Sequence, residues 1–206
     1  MTTAIINYGM GNIGSLSNAI KKFTSDYIIT DDPNAIMQSS RIILPGVGAF
    51  PDAMKRLKEL GLDSVIYNFA TDLNRPVLGI CLGMQLLASS SDEFKKTKGL
   101  NLIEGKIVRL SDLQCSLLLP HIGWNSVQNI NPNSILLDGI PNETDFYFVH
   151  SFAYQLSDQS NLIAETNYEI NFPSAIKKNN IFGTQFHPEK SSRAGMKILN
   201  NFLSIC

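Results

Sequence analysis

Short apolar runs alternate with helical patterns along the first half of the chain, and this alternation limits the possible folds more than any other feature. Four runs rich in Ile, Val or Leu lie at residues 4–6, 27–29, 42–44 and 76–80. Continuous apolar runs are typical of parallel strands that are buried on both faces. Between the runs, apolar residues recur at helical spacing in residues 16–23 and 62–69. The pattern predicts an α/β fold with a mainly parallel central sheet and helices on both of its faces.

The second half, beyond Gly99, has strand-like runs with few helical patterns between them. These runs lie at residues 107–110, 147–149, 162–164 and 181–186. They predict an additional mixed or antiparallel sheet portion. A last helix has its apolar face between residues 194 and 203, with Ser191 or Ser192 as its N-cap. With 206 residues and no internal repeat or linker, residues 1–206 are expected to form a single domain.

Charge and cysteine content exclude several classes of function. The formal net charge is −1 and the basic residues are scattered, so we expect no nucleic acid partner. No apolar run is long enough to span a bilayer, and residues 1–7 lack the features of a signal peptide, so no membrane partner is expected. Three cysteines without a CxxC pair favour the cytoplasm and predict no metal site.

The loops that follow parallel strands are where ligands bind in open α/β sheets. Three segments fall there in this sequence: residues 8–12, residues 45–50 and the turn at Cys81. Their glycines indicate tight turns or a close approach of another part of the chain.

Cys81 lies in a G-x-C-x-G turn between a predicted strand and a predicted helix, with Gly79 and Gly83 on either side. This is the cysteine counterpart of the nucleophile elbow. The N-terminus of the following helix favours a thiolate and, later in a reaction, an oxyanion. The alternative is that Cys81 is simply a small buried apolar residue, as most free cysteines are.

A cysteine nucleophile normally needs a base, and the chain has three histidines, His121, His150 and His187. His187 is the best candidate because it follows a predicted strand and precedes Glu189 by two residues. A carboxylate at that spacing can orient the imidazole and stabilise its protonated form. The tripeptide alone is also common in surface turns.

The two motifs together resemble the paired signature of the class I glutamine amidotransferases. The motifs are Gly-Ile-Cys-Leu-Gly-Met-Gln at residues 79–85 and Gly-Thr-Gln-Phe-His-Pro-Glu-Lys-Ser at residues 183–191. Residues 7–12, 45–50 and 120–125 extend the resemblance over essentially the whole chain, toward the glutaminase subunits of imidazole glycerol phosphate synthase. The fold implied is the flavodoxin-like class I glutamine amidotransferase fold.

The resemblance implies a thioester mechanism for hydrolysis of L-glutamine, with Cys81 as nucleophile, His187 as base and Glu189 as the residue that orients it. No cofactor is implied. The residues implied to bind glutamine or the oxyanion are Gly46, Val47, Gly48, Leu82, Gln85 and Ser151. In this scheme the oxyanion is held by the backbone N–H of Leu82 and by the turn at Val47 after one peptide reorients.

The resemblance also implies a heterodimer in which a (β/α)-barrel cyclase subunit receives the ammonia in histidine biosynthesis. The residues implied to face this partner are Tyr8, Asn12, Pro120, His121, Trp124 and Asn125. The chain departs from the family pattern at Phe152, where a tyrosine is usual. Two alternatives stay open: a glutaminase subunit of a sugar-modifying amidotransferase, and a flavodoxin-like cysteine hydrolase.

Overall fold

A computed structural model describes residues 1–205 of the chain. Its strands, in chain order, are β1 Thr3–Ile6, β2 Tyr27–Thr30, β3 Arg41–Gly46, β4 Val77–Cys81, β5 Ser90–Ser91, β6 Thr97–Lys98, β7 Gly105–Arg109, β8 His121–Val127, β9 Thr144–His150, β10 Phe152–Leu156, β11 Leu162–Tyr168, β12 Ile170–Lys178 and β13 Ile181–Thr184. Its α-helices are α1 Ile13–Ile20, α2 Pro33–Gln38, α3 Phe50–Glu59, α4 Leu62–Thr71, α5 Leu82–Leu86 and α6 Ser192–Leu203.

The central sheet has the strand order β11-β12-β13-β4-β3-β1-β2. The strands from β13 to β2 pair in parallel, whereas β11, β12 and β13 pair antiparallel. Two smaller sheets accompany it: a mixed one of order β10-β7-β5-β6 and an antiparallel pair of β8 with β9. The expectation of a mainly parallel sheet with a mixed portion in the second half is therefore confirmed.

Helices cover both faces of the central sheet, as the alternation in the sequence predicts. Successive residues of one strand point to opposite faces, and the core divides accordingly. Ile42 and Leu44 pack in the cluster that holds α3 and α4. Ile43 packs in the other cluster, with residues of α1 and α6 such as Leu16 and Phe202.

Several details differ from the sequence predictions. Strand β2 lies at the sheet edge and pairs only with β1, so Ile29 is exposed and the strand is not buried on both faces. Helix α1 ends at Ile20, which leaves Phe23 outside it. Helices α2 and α3 were not predicted; each has a proline in its first turn, a position where proline suits a helix. At α6, Ser191 is the N-cap by position but makes no capping bond.

The register of the sheet brings the ends of β3, β4 and β13 together. Gly46 pairs with Cys81, and Thr184 pairs with Ile80. The chain that continues beyond β13 therefore leaves the sheet beside the end of β4. Two segments that are distant in the sequence meet at this edge, which is where the sequence places its candidate functional loops.

Candidate active site

Cys81 occupies a strained turn between β4 and α5. Its backbone has φ 54° and ψ −110°, a region that a residue with a side chain rarely adopts. Gly79 and Gly83 make the turn possible through close packing. A Cβ on Gly83 would lie 1.8 Å from the carbonyl oxygen of Leu44, and a Cβ on Gly79 would lie 2.6 Å from the carbonyl oxygen of Gly83. The glycines thus allow α5 to lie directly against β3 and β4.

His187 and Glu189 form a buried pair next to this turn. His187 Nδ1 donates a hydrogen bond of 2.8 Å to Glu189 Oε1, and the two side chains are 2% and 4% exposed. The other ring nitrogen of His187, Nε2, is buried, and within residues 1–205 no atom lies in hydrogen-bonding geometry with it. Glu189 therefore fixes the ring, and Nε2 remains available to a reacting group.

Two opposing effects act on the pKa of His187. Burial acts to lower it, because the charged imidazolium is desolvated. Interactions with Cys81 and with Glu189 outweigh burial and raise the pKa to about 10. The raised pKa favours the protonated imidazole, which is the form that can deliver a proton to a leaving group.

The sulfur of Cys81 is linked to two buried glutamines. Gln185 Nε2 donates to Cys81 Sγ at 3.7 Å, and Gln185 Oε1 accepts from Gln85 Nε2 at 3.0 Å. Gln85 Nε2 also donates to the Phe152 carbonyl oxygen at 3.0 Å. Gln185 was not among the predicted site residues. A glutamine two residues before His187, within a run predicted to be a buried strand, was the signal that could have identified it.

A cavity of about 440 Å³ opens over Cys81. It is lined by Val47, Gly48, Cys81, Leu82, Gln85, Glu93, Pro120, Val149, His150, Ser151, Phe152, His187 and Lys190. Most of the predicted catalytic and glutamine-binding residues are among these. Gly46 and Glu189 are not, because Gly46 packs beneath Tyr8 and Glu189 lies behind the ring of His187.

Glu93 is a second cavity residue that was not predicted from the sequence. Its carboxylate is buried and accepts a hydrogen bond of 2.8 Å from the N–H of Phe50, at the start of α3. Burial is the main cause that raises the pKa of this carboxyl group. Because α3 has no side-chain cap of its own, Glu93 serves as one. Its negative charge also faces a cavity of the size of a small ligand.

The two proposed oxyanion donors differ in availability. Leu82 is the first residue of α5, so its N–H has no acceptor within the helix. The N–H of Val47 instead donates to the carbonyl oxygen of Met10 at 3.0 Å. It can reach an oxyanion at Cys81 only after the peptide reorients. That N–H belongs to the peptide that joins Gly46 to Val47, and Gly46 has no Cβ to hinder its rotation.

The six residues expected to face a partner are not equally accessible. Trp124 is 53% exposed, and Asn12 and Pro120 are also exposed. Asn125 is half-buried. Two of the six side chains are buried within this chain: Tyr8 donates to the Pro45 carbonyl oxygen, and His121 lies against His150. A partner could reach only their backbone.

His121 and His150 also lie close to this cavity. Their facing nitrogens, Nδ1 of His121 and Nε2 of His150, are 3.0 Å apart. Burial lowers the pKa of His121 to about 4 and that of His150 to about 3, from an ordinary value of 6.5. Both rings are therefore neutral at physiological pH.

This pair predicts a loss of stability in acid. Between pH 6.5 and about 4 the unfolded chain binds protons at both positions that the folded chain does not, so stability falls as pH falls. Each histidine contributes a slope of at most about 1.4 kcal/mol per pH unit. Urea unfolding at pH 7, 6, 5 and 4 measures the free energy of unfolding at each pH. This free energy should decline less steeply with falling pH in His121→Phe than in wild type. Equal slopes would contradict the low pKa.

The part of the chain that the structure describes shows two further absences. Within residues 1–205 no group of three or more His, Cys, Asp or Glu side chains is arranged to hold a metal ion. In the same range no helix has the length and apolarity needed to cross a membrane. Cys115, also buried, is bonded to the Tyr168 carbonyl oxygen, while Cys206 lies outside the described residues.

Solved structures with similar folds include a glutamine amidotransferase and a glutaminase domain. The crystal structure of a glutamine amidotransferase matches with a TM-score of 0.76 and 14% identity, covering 98% of this chain and 96% of that one. The glutaminase domain of CTPS from Trypanosoma brucei matches with a TM-score of 0.69 and 16% identity, covering 99% and 92%. At these identities the likeness establishes the fold alone.

Sequence comparisons establish the family. The model of the class-I glutamine amidotransferases matches residues 4–206. The imidazole glycerol phosphate synthase subunit HisH 2 of Methanococcus maripaludis is 46% identical over 200 residues, which is 97% of this chain and 98% of that protein. Subunit HisH of Pelagibacter ubique is 40% identical over 209 residues, covering 100% of both. The chain belongs to the class-I glutamine amidotransferase family and, within it, to the HisH subunits of imidazole glycerol phosphate synthase.

Proposed function

We propose that residues 1–206 form one glutaminase domain that hydrolyses L-glutamine and delivers the ammonia to a cyclase subunit in histidine biosynthesis. The observation that supports this most is the convergence of Cys81 and His187 on one cavity, with Glu189 bonded behind the imidazole. Nucleophile, proton carrier and orienting carboxylate are what acyl transfer from an amide requires.

In the proposed reaction the Cys81 thiolate attacks the side-chain carbonyl carbon of glutamine and forms a tetrahedral oxyanion. The N–H of Leu82, and that of Val47 once its peptide has turned from Met10, stabilise the negative oxygen. His187 donates its proton to the amide nitrogen, the C–N bond breaks, and ammonia leaves a thioester on Cys81. Water, deprotonated by His187, then attacks the thioester and releases glutamate and the thiolate.

The cavity has groups that suit the other end of the glutamine molecule. Glu93 offers a buried negative charge that matches the α-ammonium group. Gln85 and Ser151 add polar contacts along the cavity wall. Glu93 is thus assigned a binding role in addition to its bond with Phe50.

Replacing Glu93 with glutamine separates these two roles. The amide of Glu93→Gln keeps a carbonyl oxygen for the N–H of Phe50 but removes the charge. We expect KM for glutamine to rise by about tenfold or more, since a charge-assisted hydrogen bond is lost, with little change in thermal stability. Steady-state glutamate release measures the effect, with the exposed Glu59→Gln as a control. An unchanged KM would limit Glu93 to the capping role.

We also propose that the partner is a (β/α)-barrel cyclase and that the complex works in the cytoplasm. The relatives carry the name of a synthase subunit, which implies an assembly. The chain offers an apolar surface at Leu118, Ile122 and Trp124, which are 85%, 59% and 53% exposed. Exposed apolar side chains that lie close in sequence are typical of docking surfaces.

Glutamate release with and without the partner tests this function. We expect release from glutamine to be slow for the chain alone, because the Val47 N–H is held by Met10, and to rise at least about 100-fold when the barrel subunit and its ligand are added. Matched reactions with the partner but no ligand separate docking from activation. If no barrel subunit stimulates glutamate release, the result would contradict a cyclase partner and indicate another acceptor for the ammonia, such as a sugar-modifying enzyme.

A further inference from the structure

A directed chain of hydrogen bonds runs through the buried histidine pair. The Phe152 carbonyl oxygen can only accept, so the proton of His150 sits on Nδ1, 2.8 Å away. His150 is neutral, so its Nε2 accepts from His121 Nδ1 at 3.0 Å. His121 Nε2 is then an acceptor too, and Asn125 Nδ2 donates to it at 3.3 Å. Every bond points from Asn125 on β8 toward Phe152 on β10.

The Phe152 carbonyl oxygen is also a contact of the glutamine-binding machinery. It accepts from Gln85 Nε2, whose second hydrogen goes to Gln185 Oε1, and Gln185 in turn donates to Cys81 Sγ. Both N–H hydrogens of Gln85 are used in this way. The remaining atom of that amide, Oε1, is the one able to accept a hydrogen bond from a bound substrate. The position of the Phe152 carbonyl therefore determines how Gln85 is presented.

The surroundings of the histidine pair make it rigid. The ring of His121 stacks between Phe148 and Tyr168, with centroids 5.0 and 4.1 Å away. His121 and His150 also face each other in the register of β8 and β9. Rings confined by stacking and by main-chain pairing can reorient little. The pair can thus hold a neighbouring group in a fixed place.

We propose that His121 and His150 are positioning residues for glutamine binding, which hold the Phe152 carbonyl in the place where it orients Gln85. The proposal rests on the proposed glutaminase function and deepens it. His150 also lines the cavity, but both of its ring nitrogens are used, Nδ1 by the Phe152 carbonyl and Nε2 by His121, so its action on a bound substrate passes through Phe152 and Gln85. The geometry also joins strand β8, which carries the exposed Trp124, to the wall of the cavity.

Three variants of the full chain, each assayed with the barrel partner, test the proposal. His150→Phe keeps the ring volume but removes the donor to Phe152. We expect KM for glutamine to rise about tenfold while kcat stays within about twofold. His150→Asn restores a donor near the position of ring Nδ1, and KM should return to within about threefold of wild type. His121→Phe leaves the bond from His150 to Phe152 intact and should raise KM only about threefold.

A purely structural role for the pair gives a different result. In that case the variants would lose activity in proportion to the unfolded fraction, measured by thermal unfolding, with KM unchanged and no rescue by asparagine. That outcome, or wild-type KM in all three variants, would overturn the proposal. If His150→Phe does not fold, a KM near wild type in His150→Asn together with a KM about threefold higher in His121→Phe still supports the proposal, and the reverse ordering overturns it. A wild-type complex that releases no glutamate would contradict the proposed function itself, which keeps the two failures distinct.

Discussion

Replacing Cys81 with serine should abolish glutamine-dependent synthesis by the complex while leaving ammonia-dependent synthesis intact. Glutamate release should fall by at least about 1,000-fold, because a serine hydroxyl beside His187 is a far weaker nucleophile than a thiolate. Free ammonia needs no thioester, so the partner should still use it at an undiminished rate. Both activities can be measured in one preparation, with L-glutamine in one reaction and ammonium chloride in the other.

Cys115→Ser is the matched control for this experiment. Cys115 is also a buried free cysteine, but its sulfur bonds to the Tyr168 carbonyl oxygen and it does not line the active-site cavity. Its replacement should leave both activities close to wild type. An equal loss of the glutamine and ammonia reactions in Cys81→Ser would contradict the division of labour between the two subunits.

The parts of the site that could be predicted from sequence are those whose residues lie close together in the chain. Cys81 is followed by a helix and flanked by glycines, and those features alone predict a strand-to-helix turn. His187 and Glu189 are two residues apart, so their hydrogen bond needs only local backbone geometry. These two segments converge because β4 pairs with β13 in the sheet. The sequence shows that both segments follow strands, but it does not show that the two strands are neighbours.

The parts that escaped prediction depend on contacts between distant segments. Gln185 and Glu93 gain their roles from partners about a hundred and about forty residues away. The family resemblance implied that Tyr8 and His121 face a partner, whereas tertiary packing buries both side chains within this chain. The edge position of β2 has the same origin, since Ile29 is as apolar as the buried strand residues and only the topology exposes it.

Gly83→Ala should have the largest effect on folding of any alanine substitution in the active-site turn. Its new Cβ would lie 1.8 Å from the carbonyl oxygen of Leu44, which belongs to the central strand β3 and cannot move alone. A clash between two backbone segments requires α5 to shift away from β3. Because natural domains are stable by only about 5–15 kcal/mol, we expect an insoluble chain or a fall in Tm of more than about 10 °C.

Gly14→Ala is the control that separates steric exclusion from the general cost of replacing glycine. Gly14 lies in α1, and a Cβ built there meets nothing within 4 Å. Alanine should stabilise that helix by about 0.5–1 kcal/mol, raising Tm slightly, because glycine is the more flexible residue in the unfolded chain. Differential scanning calorimetry of the two variants measures both effects. A Gly83→Ala chain that unfolds at the wild-type temperature would show that α5 does not need its close contact with β3, and the glycine after Cys81 would then require another explanation.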